Sequence, residues 1–322
     1  MSLNVINAFT KYASGGSYDL LLDETLLFGG LYFNWAVSPP DFLNINVVQW
    51  SGSTYTSASG AWVAKNNMPV AKYLAGSCGN AQTNGAIFCG GSSSYNPDTR
   101  VTTTYGHLNN TASTKASLPT AVSHCQAGGS LESAINCGGS TSSSGYYNGT
   151  TEYDLSGDSW TSKGNLSQGR YYAMAGGSSA DHSICCGGWK GAGGAGVSNV
   201  CESFDGSSWS TFDNTNFTGG SHNSSGDGSP DSAIRLAIYN GSGNVNLNQT
   251  YNGTAWTNNT GGNLPSSART TSLCAGNQDN AIQASGGSTT VCQTYDSSSG
   301  SWTTQGVTNH PLSSTGGGGN SA

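Results

Sequence analysis

Cys185 and Cys186 adjoin one another with His182 three residues upstream, a grouping of the ligand types that hold zinc. A structural zinc site needs four such ligands, commonly from two Cys-x-x-Cys elements. No such pair of elements occurs here, and the five histidines fall in separate stretches. Neither a metal nor another cofactor is expected. The nine cysteines also admit disulfide chemistry. Cys125 and Cys137 lie symmetrically about the short GSLES turn and could face one another across a hairpin, as could Cys78 with Cys89, or Cys186 with Cys201. The competing reading makes them free thiols, small apolar fillers of tightly packed strands. An odd count leaves at least one unpaired in a monomer.

Other chemistry-bearing groups point away from catalysis. Asp19, Asp23 and Glu24 are spaced closely enough for a general-acid pair, but solvated loop charges produce the same pattern. Gly191 to Gly196 (GAGGAG) has the glycine density of a phosphate loop without the Lys-Ser or Lys-Thr that must follow, so a flexible loop is expected. The four arginines, Arg100, Arg170, Arg235 and Arg269, are far apart in sequence. No Lys or Arg cluster offsets the net charge of −7, so nucleic acid is not an expected partner. The segment Met1 to Tyr12 has no basic stretch leading into an apolar run, and nowhere do eighteen apolar residues occur together. Neither a signal peptide nor membrane insertion is expected.

Recognition is the chemistry that remains. Aromatic residues mixed with Asn, Asp and Lys occur at Tyr32, Phe33, Asn34 and Trp35, at Tyr95, Asn96 and Asp98, at Tyr146 and Tyr147, and at Trp189 and Lys190. Such sets suit sugar rings, which offer apolar faces and hydroxyls, and they suit protein contacts equally well.

The elements that carry these groups must be strands. Forty-eight glycines, abundant Ser, Thr and Asn, and only 8% charged residues disfavour long helices. The 34% of hydrophobic residues still permits a substantial core. Three markers repeat. Gly pairs end apolar runs at Gly29-Gly30, Gly90-Gly91, Gly138-Gly139, Gly187-Gly188 and Gly286-Gly287, with a degenerate copy ending at Gly243. Aromatics open and close a turn at Trp50 and Tyr55, Tyr153 and Trp160, Phe204 and Trp209, Tyr251 and Trp256, and Tyr295 and Trp302. Tyr105 opens a sixth turn, with Ala112 at the closing place. A Leu-Pro or equivalent then precedes a basic residue at Lys72, Arg170 and Arg269.

A repeat of about 50 residues with these three markers in constant order resembles the Kelch family. The resemblance covers roughly residues 11–315 and implies a six-bladed β-propeller of four-stranded blades. It places the Gly pair at the end of the second strand and the aromatic pair across the third-to-fourth hairpin. The Gly pairs are expected to let inner strands approach the axis, and the aromatics to pack between blades. The aromatic loops then emerge on one face. Residues 1–10 form an arm or closing strand and 316–322 a Gly-rich tail, with either terminus able to close the ring. Propeller enzymes of the galactose oxidase and sialidase kinds need a copper set or an arginine cluster that these residues do not supply.

A polar Kelch-like chain of this length without an export label is similar to accessory proteins of bacteriophage virions. That similarity implies a non-enzymatic structural or adhesion protein of tail, tail fibre or capsid surface, within an oligomeric assembly, binding host surface glycan or other virion proteins. The alternative is a cytoplasmic Kelch interaction module, and a propeller enzyme comes third.

Overall fold

The computed structural model describes residues 32–34, 41–43, 48–51, 54–57, 66–70, 72, 74–80, 85–92, 98–106, 109–142, 145–190, 196–212, 225–239, 244–259, 273–284 and 291–307. Outside them lie Asp19, Asp23, Glu24, Trp35, Tyr95, Asn96, Arg269, Gly191 to Ala195, the Gly pairs at 29–30 and 286–287, Gly243, and the terminal segments 1–10 and 316–322. The described residues contain strands and no helix. The chain divides into two compact units, residues 1–60 and 61–322.

The first unit holds two antiparallel hairpins. One joins β1 (Tyr32–Asn34) to β2 (Asp41–Leu43), and the other joins β3 (Val48–Ser51) to β4 (Thr54–Ser57). In the second hairpin Trp50 and Tyr55 are register partners.

The second unit contains five four-stranded antiparallel sheets in chain order. Sheet I is β5 (Gly76–Asn80), β6 (Gly85–Cys89), β7 (Thr102–Gly106) and β8 (Thr111–Lys115). Sheet II is β9 (Gln126–Gly129), β10 (Ser133–Cys137), β11 (Thr150–Asp154) and β12 (Ser159–Lys163). A short lead-in strand β13 (Arg170–Tyr171) precedes sheet III, which is formed by β14 (Met174–Ser179), β15 (His182–Cys186), β18 (Cys201–Phe204) and β19 (Trp209–Thr211). Between β15 and β18 lie β16 (Trp189–Lys190) and β17 (Gly196–Val197), which pair with β13 in a three-stranded ribbon. Sheet IV is β20 (Ser225–Gly228), β21 (Ala233–Tyr239), β22 (Asn244–Tyr251) and β23 (Trp256–Asn258). Sheet V is β24 (Leu273–Gly276), β25 (Asn280–Ala284), β26 (Val291–Asp296) and β27 (Ser301–Val307). The first strands β5, β9, β14, β20 and β24 follow one another side by side, giving a propeller-like succession of meanders.

The repeat markers explain this arrangement. Ile87, Ile135, Ile184 and Ile234 occupy matching places on second strands and are fully buried, so each meander is half of a sheet-on-sheet core. All aromatic openers and closers are cross-strand partners: Tyr153 faces Trp160, Phe204 faces Trp209, Tyr251 faces Trp256 and Tyr295 faces Trp302, while Tyr105 faces Ala112. The four aromatic pairs hold ring centroids 5.0 to 5.3 Å apart in tilted contact.

The Gly pairs do a different job from the one expected of them. They end second strands in left-handed conformation, with φ of +61° at Gly138 and +112° at Gly139. A Cβ on Gly138 would meet the Arg170 carbonyl of the next sheet's lead-in at 2.7 Å, and one on Gly139 would meet the Ser123 carbonyl of its own at 2.8 Å. Close approach of the first strands is instead carried by glycines inside them. A Cβ on Gly176 in β14 would meet the Gly228 backbone of β20 at 2.4 Å.

Candidate functional site

Leu74, His124 and Tyr172 each stand two residues before the first strand of their sheet, and each has a left-handed backbone, with φ of +56°, +52° and +59°. Such φ values disfavour L side chains, so the surrounding structure must impose them. Part of the cause is visible: the His124 N–H donates to the Leu74 carbonyl at 2.8 Å, so one lead-in leans on the one before it. At His124 and Tyr172 the side chains meet at one end of sheets II and III.

Four rings gather there. The Tyr146 and Tyr171 rings stack with centroids 5.3 Å apart and planes 20° from parallel. His124 packs edge-on against Tyr172 at 4.6 Å and lies 5.5 Å from Tyr171, which is itself 4.8 Å from Tyr172. Backbone pairing enlarges the surface. Tyr171 is the register partner of Trp189 and Arg170 that of Lys190, which puts Tyr171 and Trp189 on one face of the ribbon. Tyr146 backs onto Gly169, where a Cβ would come within 2.8 Å of the Tyr146 carbonyl, and the Arg170 N–H donates to the Tyr147 carbonyl at 3.2 Å. His124, Tyr146, Tyr171, Tyr172 and Trp189 are all half-buried, so their rings are held yet remain partly open to solvent.

The electrostatics of this platform are those of neutral donors. Burial, and then the neighbouring Tyr146, push the Tyr171 phenol up to about 12, and burial also raises Tyr172. Both hydroxyls therefore stay protonated at neutral pH and can donate hydrogen bonds. The Ser123 hydroxyl and His124 Nδ1 lie 2.9 Å apart.

Beneath the platform a fully buried ion pair fixes the ribbon. Arg170 pairs with Glu202 of β18, donates through Nη1 to the Val200 carbonyl at 2.8 Å, and shares Nη2 with the Cys185 carbonyl at 3.5 Å. Glu202 Oε1 in turn accepts the Ser167 N–H at 2.9 Å. Lys72 plays the same part in sheet I, where Nζ donates to the Phe88 and Val101 carbonyls, both at 2.9 Å. The basic residue of the third marker is thus a clamp between second and third strands, and Leu166 of the same marker is core.

Among the residues singled out by sequence, Tyr146 and Trp189 come together here, whereas Lys190 shares the other face of the ribbon with Arg170, and the Tyr147 ring packs against the core of sheets I and II with its hydroxyl 3.5 Å from Thr120 Oγ1. Asp98 instead bridges to Ser92 in the corresponding loop of sheet I. Tyr32, Phe33 and Asn34 form β1 of the first unit, paired with Leu43, Phe42 and Asp41. His124, Tyr171 and Tyr172 were not anticipated, although the adjacent Tyr171 and Tyr172 directly follow the marker residue Arg170 and could have drawn attention. Cys125 and Cys137 are not the cross-strand partners that the hairpin reading supposes. Cys137 lies opposite Gln126, and its thiol hydrogen-bonds Cys185, whereas Cys125 meets Cys89. Cys78 lies opposite Ile87 rather than Cys89, while Cys186 and Cys201 are cross-strand partners. Among the described residues, eight cysteines are present as buried thiols. Among the described residues no cluster of His, Cys, Asp or Glu could hold a metal, and no helix is long and apolar enough to cross a membrane.

Sheet order and site together define an all-β, propeller-like protein with an aromatic platform at one end of two neighbouring sheets. No family model matches the chain, and no curated protein matches it. Among solved structures it is similar to the structure of YjhT, with a TM-score of 0.62 and 12% identity over 77% of this chain and 87% of that one. The likeness is one of fold.

Proposed function

We propose that the chain is a six-bladed Kelch-like propeller that acts by binding and not by catalysis, and that the platform of Tyr146, Tyr171, Tyr172 and His124 recognises glycan. The stacked pair Tyr146–Tyr171 carries this reading. Its rings offer flat apolar area to the C–H face of a pyranose, and the neutral phenols around them can donate to ring hydroxyls. The five sheets supply five repeats, and the Trp50–Tyr55 hairpin of the first unit carries the marker of a sixth. The setting we propose is the exterior of a bacteriophage particle, within an oligomeric assembly, where such a platform would attach to host surface glycan.

Binding of the intact chain to an array of bacterial surface glycans, followed by titration calorimetry, tests the site. Tyr171→Ala should weaken binding by about tenfold or more, near 1.4 kcal/mol, with the melting temperature little changed. Equal affinity of wild type and Tyr171→Ala would remove glycan recognition from the platform. Mass spectrometry of purified phage particles tests the setting: peptides of this chain at fixed copy number are expected, and their consistent absence would favour a cellular interaction module.

A further inference from the structure

Directly behind His124, at the edge of the platform, Cys125 meets Cys89 of the preceding sheet. Cys125 Sγ donates to the Cys89 carbonyl at 3.4 Å, Cys89 Sγ donates to the Gly76 carbonyl at 3.7 Å, and the two sulfurs act on one another directly. Asn136 Nδ2 donates to Cys89 Sγ at 3.3 Å, and the Lys72 ammonium, held on the Phe88 carbonyl one residue before Cys89, acts electrostatically on both sulfurs. A cation and an amide donor around a contacting pair of thiols are the surroundings that stabilise a thiolate. Cys125 retains 6% exposure, whereas Cys89 has none.

We infer that Cys125 and Cys89 form a peroxide-oxidisable pair, Cys125 reacting first with hydrogen peroxide and Cys89 resolving it to a disulfide that staples sheet I to sheet II. The Cys125 thiolate attacks one peroxide oxygen, the O–O bond breaks, hydroxide leaves and Cys125 becomes a sulfenic acid. Cys89 sulfur then attacks Cys125 sulfur. The S–O bond breaks, and the departing hydroxide takes the Cys89 proton and leaves as water. Two thiols lose two electrons, and one peroxide is reduced to two waters once the hydroxide of the first step takes up the proton released on forming the Cys125 thiolate. The order of events agrees with the two acidities, since the neighbouring Cys89 thiol lowers Cys125 to about 7 while Cys89 is held well above the ordinary thiol range. Cys137 and Cys185 also hydrogen-bond one another across sheets II and III, but neither has any exposure, so this pair should oxidise later. The inference is independent of the glycan reading.

The test is non-reducing peptide mapping of the reduced full chain during a hydrogen peroxide time course, with dimedone present in a parallel sample. A Cys89–Cys125 linked peptide should accumulate first. In Cys89→Ser the dimedone adduct should build up on Cys125, and Lys72→Met should slow Cys125 oxidation several-fold. Cys89 and Cys125 still alkylatable as free thiols after the methionines are oxidised, or Cys125 linked to another cysteine, would overturn the inference. The wild-type map decides between these outcomes even where a variant fails to fold.

Discussion

Trp209 Nε1 donates to Thr150 Oγ1 at 2.8 Å, tying the fourth strand of sheet III to the third strand of sheet II. One sheet earlier, Trp160 Nε1 makes the same contact with Thr102 at 3.0 Å and with the Ala116 carbonyl at 3.1 Å. In sheets II and III the tryptophan that closes the outer hairpin therefore packs against its own opener with one face and hydrogen-bonds the preceding sheet with its edge. This is how a repeat too small to bury both faces is locked to its neighbour.

Thr150→Val removes the acceptor while keeping the side chain's shape, and it should destabilise the protein by about 1 kcal/mol. Trp209→Phe removes the donor together with packing and should cost more. A double-mutant cycle in urea should return a coupling of about 0.5–1.5 kcal/mol. Strict additivity would mean that the contact contributes nothing between the sheets.

Removing one partner of the Arg170–Glu202 pair strands a charge where neither side chain has appreciable exposure. Glu202→Gln or Arg170→Met alone should each cost about 3–5 kcal/mol. The double variant Arg170→Met/Glu202→Leu should recover much of that loss, since a desolvated ion pair returns little net energy. Because Arg170 anchors β13, the single variants should also disturb Tyr171. Thermal denaturation and near-ultraviolet circular dichroism measure the two effects.

Acid should weaken the outer turns. The Ser208 and Ser207 backbone N–H groups hold Asp205 down at about 2, and Asp154 and Asp296 are lowered chiefly by hydrogen bonds from Ser156 and Ser298. Asp158, which accepts the Ala116 N–H at 3.0 Å and the Tyr153 hydroxyl at 2.7 Å, is lowered as well. For a carboxylate lowered by folding, the stability it adds is complete above its unfolded pKa and is lost as pH falls through the folded value. Melting temperature should accordingly be level at mildly acidic pH and fall as pH drops from the ordinary aspartate value of 3.8 toward about 2. Asp205→Ala should flatten part of that decline, and an unchanged profile would show that the turn contributes nothing.

The left-handed backbone at Tyr172 separates fold from platform. Tyr172→Val places a β-branched residue at a φ of +59° and should cost about 1–2 kcal/mol, whereas Tyr172→Asn, a residue that tolerates this conformation, should cost less. Both remove the ring that packs on His124. Thermal melts read the first effect. Equal weakening of glycan binding in both variants would assign the binding loss to the ring and not to the backbone.

The periodic features were legible in the chain because they depend on local rules. Strands separated by glycine and polar turns, a Gly pair closing second strands, and Tyr and Trp on either side of a tight hairpin all recur at a spacing that one meander dictates. Each pairing follows from the two-residue period of a strand. The hairpin reading of Cys125 and Cys137 failed for the same kind of reason. Symmetry about a turn does not reveal that Cys137 faces Gln126, nor that each thiol finds its contact in a neighbouring sheet.

Composition and repeat by themselves determined a repetitive all-β chain with an aromatic pair bracketing one turn of each repeat. Tertiary structure alone decided which aromatics meet. Tyr146 and Tyr171 are contributed by different sheets, and His124 reaches Tyr172 because two lead-ins adopt a conformation that their side chains do not prefer. Contacts within a hairpin are set by register a few residues away, whereas contacts between sheets are set by how closely their first strands can pack, which at Gly176 depends on the absence of a single Cβ.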